Sequence, residues 1–87
     1  MPGVARVNVD SCVGKVIDPK TNTVFVNNAP ISVKGANVQG HGSGSHSSPK
    51  TDEASPNVNA YNIKVNRQGD KCTCGDALTG SGNVFAN

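Results

Sequence analysis

Five residues of this chain carry soft or borderline metal-ligand chemistry, and all of them fall in turn-rich segments. They are Cys12, His41, His46, Cys72 and Cys74. Thiolate sulfur and imidazole nitrogen are the ligands that tetrahedral zinc prefers, with iron as the alternative. The spacing is less specific than the residue types, because Cys72 and Cys74 are one residue closer than in a common zinc knuckle. We predict one metal ion held by these loops.

Two other interpretations of the same residues stay open. The cysteines can be small buried apolar side chains while the histidines are solvated in loops. A disulfide such as Cys12–Cys74 is the second alternative, although the odd number of cysteines and the absence of a secretory signal count against it.

The segments that position these residues are short, alternating strands. Residues 23–27 (TVFVN) return as 83–87 (NVFAN), and 57–61 (NVNAY) form a weaker copy. Each copy alternates apolar and polar residues, as a half-buried strand does. Further strands that run into a turn are predicted over residues 2–10, 29–35 and 63–69.

The strands group into three strand-loop units. Hairpin connections are predicted at Asn27-Asn28 and Tyr61-Asn62, and the last strand completes the first unit from the other end of the chain. Between the units lie the first loop (residues 10–15), the second loop (36–57) and the third loop (70–81). We therefore expect one all-β domain over residues 1–87.

The composition requires support beyond hydrophobic burial. The chain has 87 residues, 34% of them hydrophobic, with twelve Val and three Ile but one Leu and no Trp. A core this lean usually needs a metal, a disulfide or a partner subunit. The net charge of +2 is scattered and lacks the basic, aromatic-rich patches of nucleic-acid binders. No signal peptide or membrane-spanning segment is visible, so we expect synthesis in the cytoplasm.

Enzymatic chemistry finds little support in the sequence. Ser43 and Ser45 lack a nucleophile-elbow pattern, and the glycine-rich residues 40–44 lack the Lys-Ser/Thr of a phosphate-binding loop. The chain is also too short for a substantial cleft, so neither a catalytic residue nor a small-molecule substrate is predicted.

The sequence resembles the Pro-Ala-Ala-Arg (PAAR) repeat proteins, the spike tips of contractile phage tails and type VI secretion systems. The resemblance rests on residues 2–7 (PGVARV), the repeated strands, residues 69–75 (GDKCTCG) and the closing segment 79–87. It implies a small cone of β-hairpins with pseudo-three-fold symmetry. The cone would cap a trimeric β-helical spike and pierce a target membrane.

The resemblance also implies a zinc or iron ion near the point, held by several histidines and one cysteine. His41, His46 and Cys74 match those ligands. Many relatives place a histidine two residues after that cysteine, where this chain has Asp76, and some have one where this chain has Cys12. We take Cys12 as the fourth ligand, Cys72 as its reserve and Asp76 as the third choice.

The chain ends at Asn87, directly after the closing strand and without an appended toxin domain. This favours a phage baseplate tip over a secretion spike. The alternative function is a free-standing zinc-binding adaptor that recruits a protein through the Gly/Ser-rich second loop. The third possible function is that of a small enzyme that uses a metal or a thiol.

Overall fold

The computed structural model describes residues 2–20, 24–60 and 62–87. It is built from three two-stranded antiparallel hairpins joined by isolated bridges. The first hairpin pairs β1 (Ser11–Cys12) with β2 (Gly14–Lys15), the second β3 (Phe25–Val26) with β4 (Ala29–Pro30), and the third β5 (Asn59–Ala60) with β6 (Ile63–Lys64). The one helical element in these ranges is a 3₁₀ turn, Gly44–His46. The all-β prediction is confirmed.

Three strand segments form a closed triangle around the molecular axis. The Ala5 amide donates to Asn66 (3.0 Å), the Asn66 amide to Ser32 (2.9 Å), and the Ser32 amide to Ala5 (3.0 Å). These three residues, the axial triangle, are fully buried. A second ring of three backbone hydrogen bonds runs in the opposite sense around the axis. In this ring the amide of Val7 donates to the carbonyl of Pro30, that of Lys34 to Lys64 and that of Gln68 to Gly3. The predicted pseudo-three-fold symmetry is therefore present in the backbone.

The C-terminal strand completes the first unit. The Val4 amide donates to the Val84 carbonyl at 2.8 Å, as the Ile31 amide donates to Val24 and the Val65 amide to Val58. The predicted turn Asn27-Asn28 is confirmed, with φ of 52° and 69°, values that Asn tolerates. Thr23 and Tyr61, which the sequence placed in the strand copies, lie outside the described residues.

Each strand of the triangle ends in a left-handed residue. Asn8, Gly35 and Gly69 have φ of 64°, 89° and 89° at equivalent positions. The chain then leaves the axis into the first, second and third loops. Each strand of the triangle pairs with a strand copy before this residue and leads into a loop after it. The β3–β4 hairpin, the β5–β6 hairpin and the C-terminal strand therefore gather at one end, the hairpin end, and the loops gather at the other, with the β1–β2 hairpin inside the first loop. The molecule measures 32 × 23 × 22 Å along its principal axes.

Two buried clusters lie along this axis. The base cluster, at the hairpin end, consists of Val4, Val26, Ile31, Val33, Ala60, Val65 and Ala86. The apical cluster, at the loop end, consists of Ala5, Val7, Cys12, Val16, Ala36, Val38, Cys72 and Leu78. Phe25 and Phe85 do not enter either cluster, because strand alternation turns them outward while their neighbours face in. Nowhere in the ranges given above is a helix long and apolar enough to cross a membrane.

Replacing Ser32 by Ala should destabilise the fold by about 1–3 kcal/mol, since it leaves a buried acceptor unsatisfied. The Ser32 hydroxyl donates to Asn66 Oδ1 at 2.7 Å, and both residues are fully buried. Urea unfolding measures the change, with Ser48→Ala at an exposed position as the matched control. Equal free energies of unfolding for the two variants would contradict the role assigned to this hydrogen bond.

Candidate metal centre

Backbone hydrogen bonds bring the three loops together at the end of the molecule opposite the hairpin end. Each pair of loops shares at least one bond: Gln39 N to Lys15 O (2.8 Å), Thr73 N to Lys50 O (2.8 Å) and Thr79 N to Ser11 O (3.0 Å). Residues separated by up to about seventy positions in sequence therefore become neighbours. The side chains discussed below are positioned by this packing.

Four potential metal ligands converge between the second and third loops. They are His41, His46, Cys74 and Asp76, whose ligand atoms all lie within 4.8 Å of one another; we call them the donor group. His41 Nε2 is 2.9 Å from His46 Nδ1 and 3.1 Å from Asp76 Oδ2. Asp76 Oδ2 is also 3.4 Å from His46 Nδ1 and 3.5 Å from Cys74 Sγ. All four residues are partly buried.

The donor group fits a tetrahedral metal ion by chemistry and by spacing. Zinc bonds of 2.0–2.3 Å at tetrahedral angles place neighbouring ligand atoms about 3.3–3.8 Å apart. The contacts of 2.9–3.5 Å within the donor group are close to these separations. Two imidazoles, one thiolate and one carboxylate also suit zinc or iron better than magnesium or calcium, which prefer oxygen ligands alone.

The orientation of His41 is set by the backbone. Its Nδ1 lies 3.3 Å from the Gln39 carbonyl oxygen, which can only accept, so Nδ1 carries the proton. The lone pair is then on Nε2, the atom that faces the other ligands. A carbonyl that fixes the imidazole tautomer in this way is a common support for a metal-binding histidine.

Gly14 makes room for this histidine. A Cβ atom at position 14 would overlap the Gln39 carbonyl oxygen and lie 2.6 Å from His41 Nδ1. Gly14 pairs with Cys12 across a tight turn whose single connecting residue, Val13, has φ of 75°. The first loop thus supports His41 through close backbone packing, although it supplies no ligand to the donor group.

A short turn of the third loop presents both of its ligands. Gly75 N donates to Cys72 O at 2.9 Å, and Cys72 N donates to Asp76 O at 3.0 Å. Gly75 has φ of 90°, a conformation that glycine adopts without steric cost. The turn folds Cys74 and Asp76 toward His41 and His46 while Cys72 points into the apical cluster.

Cys12 and Cys72 do not join the donor group. The sequence analysis took Cys12 as the fourth ligand and Cys72 as its reserve, but the structure bonds them to each other in a disulfide with Cα atoms 6.5 Å apart. Both are buried, at 0% and 3% exposure. Asp76, the third choice, occupies the fourth position instead. The disulfide also differs from the Cys12–Cys74 pairing considered as an alternative, because Cys74 remains free.

The disulfide joins the first loop to the third across 60 residues, and a metal held by the donor group would join the second loop to the third. Loop-closure entropy assigns a disulfide of this span about 4 kcal/mol of stabilisation. The sequence signal for Asp76 was its place two residues after Cys74. No signal in the sequence indicated the disulfide partner of Cys12, because residues 72 and 74 are both cysteines of the same loop.

A family model described as the PAAR motif matches residues 8–80, a range that includes the first two loops, the third loop up to residue 80 and all four residues of the donor group. No individual curated protein matches the chain significantly.

Asp76→Ala should lower zinc affinity by at least about tenfold, because loss of a ligand's outer-shell partner alone costs 10–100-fold. Asp52→Ala is the matched control, as Asp52 is an exposed loop carboxylate outside the donor group. Competition with a chromogenic chelator measures the affinity under reducing conditions. Unchanged affinity in Asp76→Ala would remove Asp76 from the ligand set.

Gly14→Ala should reduce zinc content although position 14 carries no ligand atom, because the new methyl group displaces His41. Gly82→Ala is the control, since a Cβ there meets no atom within 4 Å. Elemental analysis of the two purified variants makes the comparison. Full zinc occupancy in Gly14→Ala would show that His41 does not depend on this contact.

Proposed function

The chain belongs to the PAAR-motif family of spike-tip proteins from contractile injection systems, and from this premise we propose how it acts. Its hairpin end caps a trimeric β-helical spike, and its loop end is the point that pierces the target membrane. One zinc ion, with iron as the alternative, holds that point together. The role is mechanical, and it places the protein at the tip of a phage tail baseplate or of a type VI secretion spike.

The observation that carries this proposal is the axial triangle. One chain repeats the same backbone bonding three times around an axis, so it offers three equivalent edges to a partner. A homotrimer is the simplest partner with three equivalent ends. Continuing the sheets onto a β-helix would also cover strand edges, which are prone to aggregation when exposed.

Two exposed aromatic residues support the proposal that the hairpin end is the one that docks onto the spike. Phe25 and Phe85 are 56% and 49% exposed and lie at equivalent positions of two strand copies. The third copy has Asn59, which is also exposed. Burying the two phenylalanines against a partner would contribute favourable apolar burial, whereas leaving large aromatics in water has no structural benefit for a free domain.

The donor group supports the mechanical role of the point. The apical cluster is made mainly of small side chains, Ala, Val and Cys, with Leu78 as its largest apolar member. Structural metal sites contribute folding free energy directly and do not need such a core. A metal bound by His41, His46, Cys74 and Asp76 would connect two loops beside this cluster of small side chains.

We expect one copy of the chain to bind one spike trimer. Mixing the protein with the purified trimeric β-helical spike of the same particle and measuring mass by light scattering tests this 1:3 stoichiometry. Phe25→Asn and Phe85→Asn should each weaken binding about tenfold, the range of interface anchors. Val9→Asn is the control. Val9 is 50% exposed on the side of the first loop, and its replacement should leave spike binding unchanged. Binding to a non-β-helical partner without affinity for the trimer would favour the adaptor function instead.

A further inference from the structure

The disulfide and the donor group meet in the same turn of the third loop. Cys72 belongs to the disulfide and Cys74 to the donor group, with only Thr73 between them. Cys74 is the free cysteine and packs against the apical cluster that contains both Cys12 and Cys72. All three cysteines of the chain therefore belong to the apical cluster or pack against it, with two of them in a disulfide and Cys74 free.

We propose that metal binding and the position of the disulfide are coupled through Cys74. When no metal holds Cys74, its thiolate can attack Cys12 Sγ. A Cys12–Cys74 bond then forms, the Cys12–Cys72 bond breaks, and Cys72 leaves as a thiolate that takes up the proton Cys74 released. The number of disulfides and the oxidation state of the protein stay the same, so no external oxidant or reductant takes part.

The two uses of Cys74 exclude each other. A sulfur bonded to Cys12 no longer carries the thiolate that a metal needs, and the donor group would be left with His41, His46 and Asp76. A metal that binds only the Cys12–Cys72 form draws the population toward that form. By the same linkage, the Cys12–Cys72 disulfide keeps Cys74 free and so favours metal binding.

This inference rests on the metal site of the proposed function but goes beyond it. It gives Cys12 and Cys72 a role in metal binding although neither is a ligand. Their disulfide keeps Cys12 from pairing with Cys74. The order of assembly also follows, because a metal bound while all three thiols are reduced fixes Cys74 and leaves Cys12 and Cys72 as the one pair that can oxidise.

Zinc binding by cysteine variants tests the coupling. In oxidised Cys72→Ser, Cys12 has lost its partner and can pair only with Cys74, so zinc affinity should fall at least about tenfold relative to the same variant kept reduced. The double variant Cys12→Ser/Cys72→Ser leaves Cys74 without any partner, and its oxidised form should regain the affinity of the reduced form. Both variants lack the native disulfide, so a loss caused only by weaker folding would affect them equally.

Mapping the free thiol gives the second measurement. Wild-type oxidised protein, with and without zinc, is quenched in acid, unfolded, labelled with N-ethylmaleimide and analysed by peptide mass spectrometry. The label should be on Cys74 alone when zinc is bound and should divide between Cys72 and Cys74 when zinc is removed. Cys74→Ser should carry no label in either state, because its two remaining cysteines stay paired.

The outcomes separate the inference from the proposed function. Equal zinc loss in the oxidised single and double variants, or a free thiol on Cys74 alone after zinc removal, overturns the coupling and leaves the metal site intact. Wild-type protein that binds no zinc under reducing conditions overturns the zinc site itself. Spike binding is measured independently of both.

Discussion

The closed triangle of backbone hydrogen bonds among Ala5, Ser32 and Asn66 is the constraint on which the remaining structure depends. It fixes three chain segments side by side with no space on the axis, so only small or mutually bonded side chains fit there. Ser32 and Asn66 meet this condition through their own hydrogen bond. Because each segment pairs with a strand copy where it enters the triangle and leaves into a loop, the strand copies lie at one end of the molecule and the loops at the other.

The loop end shows how a narrow structure is stabilised with few apolar side chains. Its buried cluster consists mainly of Ala, Val and Cys, and polar groups complete it. Asp10, nearly fully buried, accepts hydrogen bonds from the Arg6 guanidinium and the Thr79 hydroxyl, and the contact raises the pKa of Arg6. A disulfide joins the first and third loops, and the members of the donor group come from the second and third.

The hairpin end departs from three-fold symmetry in its side chains but not in its backbone. Ser55 and Ser81 accept hydrogen bonds from Val58 and Val84 in the same way, at 3.0 Å each. The outward positions that follow are nevertheless different, with Phe25 and Phe85 in two copies and Asn59 in the third. A single chain can vary each copy separately, which a homotrimer cannot do. The family match places this asymmetric face in a protein that functions as a spike tip.

The sequence by itself determined the strand pattern, the three units and the closing strand, because the alternation of apolar and polar residues, the Asn and Gly turns and the repeated strand segments are visible along the chain. Residue type and placement in loops singled out the five His and Cys residues, and the resemblance to the PAAR proteins selected His41, His46 and Cys74 among them. Only the tertiary structure decided which cysteine pairs with which. Cys72 and Cys74 differ by two positions, and the turn closed by Gly75 points one into the apical cluster and the other toward the histidines. That choice comes from the way three distant loops pack, which no local pattern records.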